Sequence, residues 1–395
     1  MSRAGQFVKQ IGGYRAFIPA PLPPSPPLAY STELIRLLSD ADQRLARLDG
    51  VTSTLPNPDL FVSMYVRQEA VLSSQIEGTQ STLEDVLQFE IDPSGKELPR
   101  DVGEVVNYVA AMNHGLQRLP HLPLSLRLIR EIHGVLLQGT RGGEKTPGEF
   151  RKSQNWIGPA GCTLTTASFV PPPVSVMTES LGNLESFLHD PTLPVLIQCG
   201  LAHAQFETIH PFLDGNGRVG RLLITFLLCS QSVLQRPLLY LSYFLKQNRL
   251  EYYDRLTAIR QHGDWEGWLR FFLRGVGEVS QEATDSARRI LALREEHLRL
   301  IRDHDKINST YGLHLLDHLY EQPITTVRLV EGRLGSSYAT ANKVVNQFVD
   351  LGLLREMTGF ERNRRFAYDP YLALFARTEQ TPDENTGPAQ TTESK

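Results

Sequence analysis

The chain has 395 residues, 41% of them hydrophobic and 21% charged, with a formal net charge of −4. That length holds two or three domains and a core needing no disulfide or metal staple. The charge balance excludes a protein held to nucleic acid or membrane by bulk electrostatics. The 3 cysteines (Cys162, Cys199 and Cys229) are an odd number without a CxxC pair, which argues against a disulfide framework or a cysteine zinc site. Residues 1–14 carry no apolar signal-peptide run, and the most apolar stretch, 222–228, is too short to span a bilayer. The expectation is a cytoplasmic protein without membrane attachment.

In chain order, residues 19–27 are rich in proline and read as an extended arm packed along its own domain. Apolar residues at helical spacing then predict helices over 31–48, 58–76, 82–89, 102–119, 125–137, 177–188, 193–209, 218–230, 250–261 and 265–300. The exception is 148–173, where Trp156, Ile157 and Thr163 to Thr166 flank a Gly158-Pro159-Ala160-Gly161 turn. It reads as a hairpin whose exposed edge is either covered or used to bind an extended peptide. From residue 308 the pattern changes to helices over 311–320, 325–334 and 337–351, with Gly335 between the last two, then strand-like runs at 354–358 and 364–368. This is the order of a winged helix-turn-helix. Residues 377–395 have almost no large apolar side chain and read as a disordered tail.

The densest chemistry is the run from His210 to Arg221, His-Pro-Phe-Leu-Asp-Gly-Asn-Gly-Arg-Val-Gly-Arg, joining one apolar helix to the next. Gly215 and Gly217 allow close backbone approach to a ligand. The N–H groups opening the following helix, with its dipole, make an anion site. Arg218 and Arg221 are three apart and share a face beside it, and their planar forks suit phosphate oxygens. Asp214 is a hard oxygen ligand of the kind Mg²⁺ takes alongside substrate phosphates. His210, with an ordinary pKa of ~6.5, can accept a hydroxyl proton. Together these are parts for phosphoryl or nucleotidyl transfer. His203 lies two helical turns before His210, but two ligands are too few for zinc, so it reads as a core histidine.

This run resembles the Fic family of protein adenylyltransferases, whose motif HPFx(D/E)GNGRxxR it matches at every defined position. Tyr14-Arg15-Ala16-Phe17 with Ala20-Pro21-Leu22-Pro23 is similar to the N-terminal region of bacterial members. Ser73-Ser74-Gln75-Ile76-Glu77-Gly78 resembles the family's inhibitory-helix motif (S/T)xxxE(G/N), and Gly148-Glu149-Phe150-Arg151 with Trp156-Ile157-Gly158 resembles its flap. The resemblance implies a mainly α Fic fold with a hairpin flap. It divides the chain into an N-terminal arm and inhibitory-helix region (1–110), a catalytic core (111–305), a winged helix (306–376) and the tail. It further implies ATP over Gly215 to Arg218, Mg²⁺ through Asp214, and His210 as base for a target Tyr, Thr or Ser hydroxyl attacking the α-phosphate. Asn216 would stabilise charge there, Arg221 would hold the γ-phosphate, and Phe212 would belong to the same ATP-binding loop. Phe169-Val170-Pro171 would align the target by strand pairing, and Tyr252 and Tyr253 would lie near adenine. A kinase branch of the family lacks the Gly217-Arg218 arrangement, which favours AMP transfer here.

Glu77 falls at a helix end with Gly78 suited to the cap. A negative charge there opposes the helix dipole and calls for a partner; the resemblance supplies Arg221, with Ser73 one turn back on the same face. Glu77 would then restrain AMP transfer in cis, and AMP removal is a further option. In 308–376, seven Lys/Arg balance seven Asp/Glu, so the electrostatic footprint of a DNA binder is absent. Arg362, Arg364 and Arg365 nevertheless cluster in the wing, leaving DNA, a docked protein or a homodimer as partners. Competing readings are a nucleotide-sensing transcription regulator and transfer of another phosphate-linked group, since a phosphate cradle does not read the base.

Overall fold

The computed structural model describes residues 2–53, 58–93, 98–304, 307, 309–360 and 362–376; the tail expected at 377–395 lies outside them. The chain forms two compact units, dividing between Leu291 and Ala292. This division falls inside a long helix.

The first unit opens with β1 (Gly5–Lys9) and β2 (Arg15–Pro19). They pair antiparallel with Phe7 opposite Phe17, the rings 5.0 Å apart. The sequence reading missed this hairpin, although two short β-prone runs around Gly12-Gly13 were its signal. Helices follow: α1 (Thr32–Ser53), α2 (Pro58–Ile76), α3 (Leu83–Ile91), α4 (Val102–Arg118) and α5 (Leu126–Leu136). Then come α6 (Val174–Leu188), α7 (Val195–Ile209), α8 (Asn216–Ser230), α9 (Ser242–Gln247), α10 (Arg249–His262) and α11 (Trp265–Asp303), the last entering the second unit. Apart from α9, which was not anticipated, each lies where the periodicity predicts, with ends shifted by a few residues. Thr82 caps α3 in a reciprocal capping box with Asp85, satisfying donors that would otherwise be orphaned.

The centre is α7 against α8. Every residue of α7 from Leu196 to Ile209 is buried, as expected for a helix apolar on all sides. The α4 helix approaches α8 closely because Gly115 lacks a side chain; a Cβ there would lie 2.3 Å from the Phe226 ring. Gly115→Leu is therefore expected to destabilise the protein by about 1–3 kcal/mol through overpacking, read as a lowered urea midpoint with unchanged slope.

In residues 148–173 the hairpin is short. These residues hold one antiparallel bridge, Ile157 to Phe169, with N–H···O distances of 2.8 and 3.0 Å. The threonines expected to extend it instead make a local turn, with Thr166 Oγ1 accepting from the Thr163 N–H at 2.9 Å. Such side-chain bonds compete with a strand ladder.

The second unit contains α12 (Ser309–Glu321), β3 (Ile324–Thr326), α13 (Val327–Leu334), α14 (Tyr338–Asp350), β4 (Arg355–Glu356), β5 (Arg365–Ala367) and α15 (Asp369–Ala376). Its sheet order is β3-β5-β4. The helix expected from 325 starts at Val327, because Thr326 is its cap, accepting from the Leu329 N–H; the residues before it form an unpredicted strand. Gly335, at φ 58°, makes the turn into α14, which Ser337 caps. The helix α15 was not anticipated either. No helix among the described residues is long and apolar enough to cross a membrane.

Candidate active site

The α7–α8 junction carries the site. α7 ends on His210, a non-glycine residue in the left-handed region (φ 49°, ψ 63°), an uncommon conformation that the surroundings must hold. Its carbonyl accepts from Arg151 Nε and from Asn155 Nδ2, both at 3.1 Å. Its ring nitrogen Nδ1 is buried. Burial, then the Arg260 charge, push the His210 pKa down to about 4, while the Glu207 backbone carbonyl pulls the other way. The ordinary value expected from sequence is thus corrected, but the consequence for chemistry is favourable: the imidazole is neutral at pH 7.

The loop after His210 is stapled shut. Asn216 accepts from the Phe212 N–H at 2.8 Å and donates to the Phe212 carbonyl at 2.9 Å. Phe212 stacks on His133, ring centres 3.7 Å apart. His133 accepts from the Gly148 N–H at 2.8 Å, so its Nε2 donates to the Asp214 carbonyl at 3.1 Å. Burial holds His133 neutral, with its pKa pushed down to about 4. Gly215, at φ 76°, opens α8 without a side-chain cap, leaving the helix's first N–H groups to a ligand. The half-exposed Asp214 carboxylate accepts from the Gly215 N–H at 2.6 Å.

Both motif arginines are buried, each holding a carboxylate. Arg221 donates to Ser73 Oγ at 2.7 Å, to the Ser73 carbonyl at 2.9 Å and to Glu77 Oε1 at 2.7 Å. Burial alone would raise the Glu77 pKa, but Arg221, with Arg218 and His210, holds it below the usual carboxylate range. Glu77 also lies over the glycine: a Cβ on Gly217 would meet its Oε1 at 2.2 Å. Gly78 follows at φ 98°. Arg218 pairs with Glu104 of α4 at 3.0 Å and more loosely with Asp214 at 3.6 Å. A carboxylate thus already rests on a cradle of glycine, helix N-terminus and arginine, the chemistry that receives a polyphosphate. No cluster of three or more His, Cys, Asp or Glu suited to a metal occurs among the described residues, so a divalent ion held at Asp214 would need ligand oxygens from elsewhere.

Two tyrosines part company. Tyr252 is buried, its hydroxyl 2.9 Å from His203 Nε2, and His203 Nδ1 lies 2.9 Å from the Gly220 carbonyl. His203 is thus a satisfied core histidine. Tyr253 is 41% exposed beneath the Arg249 guanidinium. Val170 is buried, and its carbonyl accepts from the Phe17 N–H of β2 at 2.9 Å. With Phe169 paired to Ile157, both sides of this short strand are engaged at these residues, so a docking segment would pair beyond them.

Sequence reasoning missed several residues here. Glu69 is buried, bonded by Tyr108 at 3.2 Å and by the Ser242 N–H at 3.0 Å, and burial pushes its pKa up to about 7. Glu207 is buried with Oε1 unpartnered, its pKa likewise raised by burial to about 7. Glu69, Glu104 and Glu207 each fall inside an apolar helical pattern, and a charged residue at a predicted core position was a usable sign.

Residues 35–117 match the Fic/DOC family N-terminal model and residues 123–228 the Fic/DOC family model. The chain therefore carries a Fic/DOC N-terminal domain and a Fic/DOC domain. Among its relatives are proteins called protein adenylyltransferase Fic: that of Drosophila virilis is 29% identical over 220 residues, and that of Aedes aegypti 29% identical over 222. The matched stretch is 53% of this chain but only 40% and 39% of those proteins. Among solved structures, a Fic family protein from Desulfovibrio desulfuricans shares the fold with a TM-score of 0.56 at 19% identity, over 87% of this chain and 97% of that one. A Fic domain containing signaling protein from Bacteroides thetaiotaomicron gives 0.50 at 18% identity, over 65% and 97%.

Proposed function

We propose that the protein transfers AMP from ATP to Tyr, Thr or Ser hydroxyls of target proteins and of itself, and that Glu77 restrains it in cis. The observation that carries this reading is the Glu77 carboxylate seated on Gly217 and Arg221, an anion where the γ-phosphate must sit. The two matched Fic/DOC domains and the name of the insect relatives support the same chemistry. His210 takes the proton of the incoming hydroxyl. With Nδ1 enclosed, Nε2 is the nitrogen left for that task. The hydroxyl oxygen bonds to the α-phosphorus, the α–β bridging bond breaks, and pyrophosphate leaves. The N–H groups opening α8 and the Asn216-stapled loop stabilise the developing charge. A Mg²⁺ bound through Asp214 would neutralise the departing phosphates. Arg218, oriented by Glu104, faces the same polyphosphate.

The second unit recruits a partner in this reading. Its wing carries Arg364, bonded to Asn342 at 2.8 Å, beside Arg362 and Arg365, which keeps duplex DNA alongside a protein as the partner to test. A salt-dependent shift with duplex DNA, weakened in Arg362→Ala and Arg365→Ala, would select DNA.

Incubating the Glu77→Gly protein with Mg²⁺ and ATP labelled at the α- or the γ-phosphate tests the activity. Protein labelling from the α-position only is expected; labelling from the γ-position would mean a kinase, and none from either a nucleotide sensor. The pH profile checks the base. Because His210 titrates at about 4, the neutral form persists as pH falls from 8 to 5. The acid limb of kcat/KM is expected near pH ~4–5 rather than ~6.5. Glu207→Gln is the control that separates its own titration near 7.

A further inference from the structure

Arg260 enters the scheme above only through its charge, which helps to hold the His210 pKa down. It lies on α10, is 9% exposed, and reaches two places at once. Its Nε donates to Thr208 Oγ1 and its terminal nitrogen to the Glu207 carbonyl, both at 3.3 Å, on the last turn of α7. Its guanidinium carbon stands 3.9 Å from the centre of the Phe169 ring. Burying a cation is costly unless it is paired or stacked, so its retention calls for a reason. Phe169 is the bridge partner of Ile157, and the next residue joins β2. Glu207 and Thr208 are the residues just before the turn that sets His210 in its left-handed conformation. A second buried arginine makes the matching tie from the other side: Arg151 bonds the His210 carbonyl at 3.1 Å and the Ser153 carbonyl at 3.1 Å.

We propose that Arg260 is a positioning residue that fixes the Ile157–Phe169 bridge against the last turn of α7, so that an acceptor segment pairing beyond that bridge meets the His210 ring in register. The inference rests on the AMP-transfer reading for its kinetic consequence but not for its structural one. The Arg260 fork holds α7 through backbone and hydroxyl, while its flat face holds the phenyl ring. Removing it frees the bridge without touching the phosphate cradle, whose contacts run through Ser73, Glu77 and Glu104.

The test uses the full chain in the Glu77→Gly background, with Arg260→Leu, Arg260→Lys and Phe169→Leu. In hydrogen exchange, the Ile157 and Phe169 amides are expected to exchange about tenfold faster in Arg260→Leu and Phe169→Leu, with α7 and α8 unchanged. Equilibrium binding of Mg-ATP is expected to stay the same, whereas the rate of self-labelling from α-labelled ATP falls by on the order of a hundredfold, as for a misplaced reactant. Arg260→Lys, which keeps the cation over the ring, recovers part of that loss. Unchanged exchange at the two amides overturns the proposal, as does a parallel loss of ATP binding, which would mark Arg260 as merely structural. If the parent Glu77→Gly protein labels nothing, the activity reading falls, while the exchange result still decides the clamp. If Arg260→Leu does not fold, Phe169→Leu carries both measurements.

Discussion

Replacing Glu77 with glycine is expected to raise AMP incorporation by about 5- to 150-fold, the range of coupling energies between two sites. The carboxylate is bonded to Arg221 at 2.7 Å and lies against Gly217, so it competes with a terminal phosphate for both groups. Arg221 keeps its two bonds to Ser73 and stays in place. It becomes, however, a buried guanidinium without its counter-charge, a change that costs stability. The variant is therefore expected to melt below the parent without ligand and to gain more from Mg-ATP, since binding the native state stabilises it by about 2.7 kcal/mol at a hundred times Kd. Glu77→Gln, which keeps a hydrogen-bonding group but no charge, should fall between the two. Thermal melts with and without nucleotide, alongside α-phosphate labelling, check each point. Equal rates in parent and variant would sink the restraint.

Replacing His210 with alanine in the Glu77→Gly background is expected to lower AMP transfer by about 10²–10⁴-fold, the usual contribution of a positioned general base. Nucleotide affinity should barely move. In the proposed scheme the phosphates rest on Gly217, Arg218, Arg221 and the α8 N-terminus, and the backbone ties at residue 210, Arg151 and Asn155 to its carbonyl, do not need the imidazole. The structural risk is the left-handed backbone, since alanine is no better there than histidine. His210→Asn, a residue more tolerant of that conformation, is the companion variant. Retained labelling in both would remove His210 from the chemistry.

The helices and the motif loop were legible in the chain because each carries its signal locally. The three-to-four spacing of apolar residues marks a helix wherever one face is buried, and α7, buried on all sides, announced itself by length and apolarity alone. The cradle was equally legible, since its glycines, aspartate and arginines are contiguous. What failed depended on distant partners. The β1–β2 hairpin gains its place from packing against Val170, far along the chain. The 148–173 hairpin is a separate case, shortened to one bridge because its threonine hydroxyls turn the chain locally. Glu104 and Glu69 are intelligible only once α2, α4 and α8 are assembled around Arg218 and Arg221. The His210 pKa shift comes from burial and from Arg260, which no spacing rule connects to residue 210.

The bond between Arg221 and Glu77 has a genetic corollary. Two residues in direct contact would give opposite alleles: loss of the acid yields an overactive, dominant form, and loss of the base an inert, recessive one. In the proposed scheme the arginine serves both restraint and turnover, so a change at 221 should be epistatic to any change at 77. A selection for suppressors of a toxic Glu77 allele would accordingly return substitutions at Arg221 and His210 ahead of changes elsewhere in the chain.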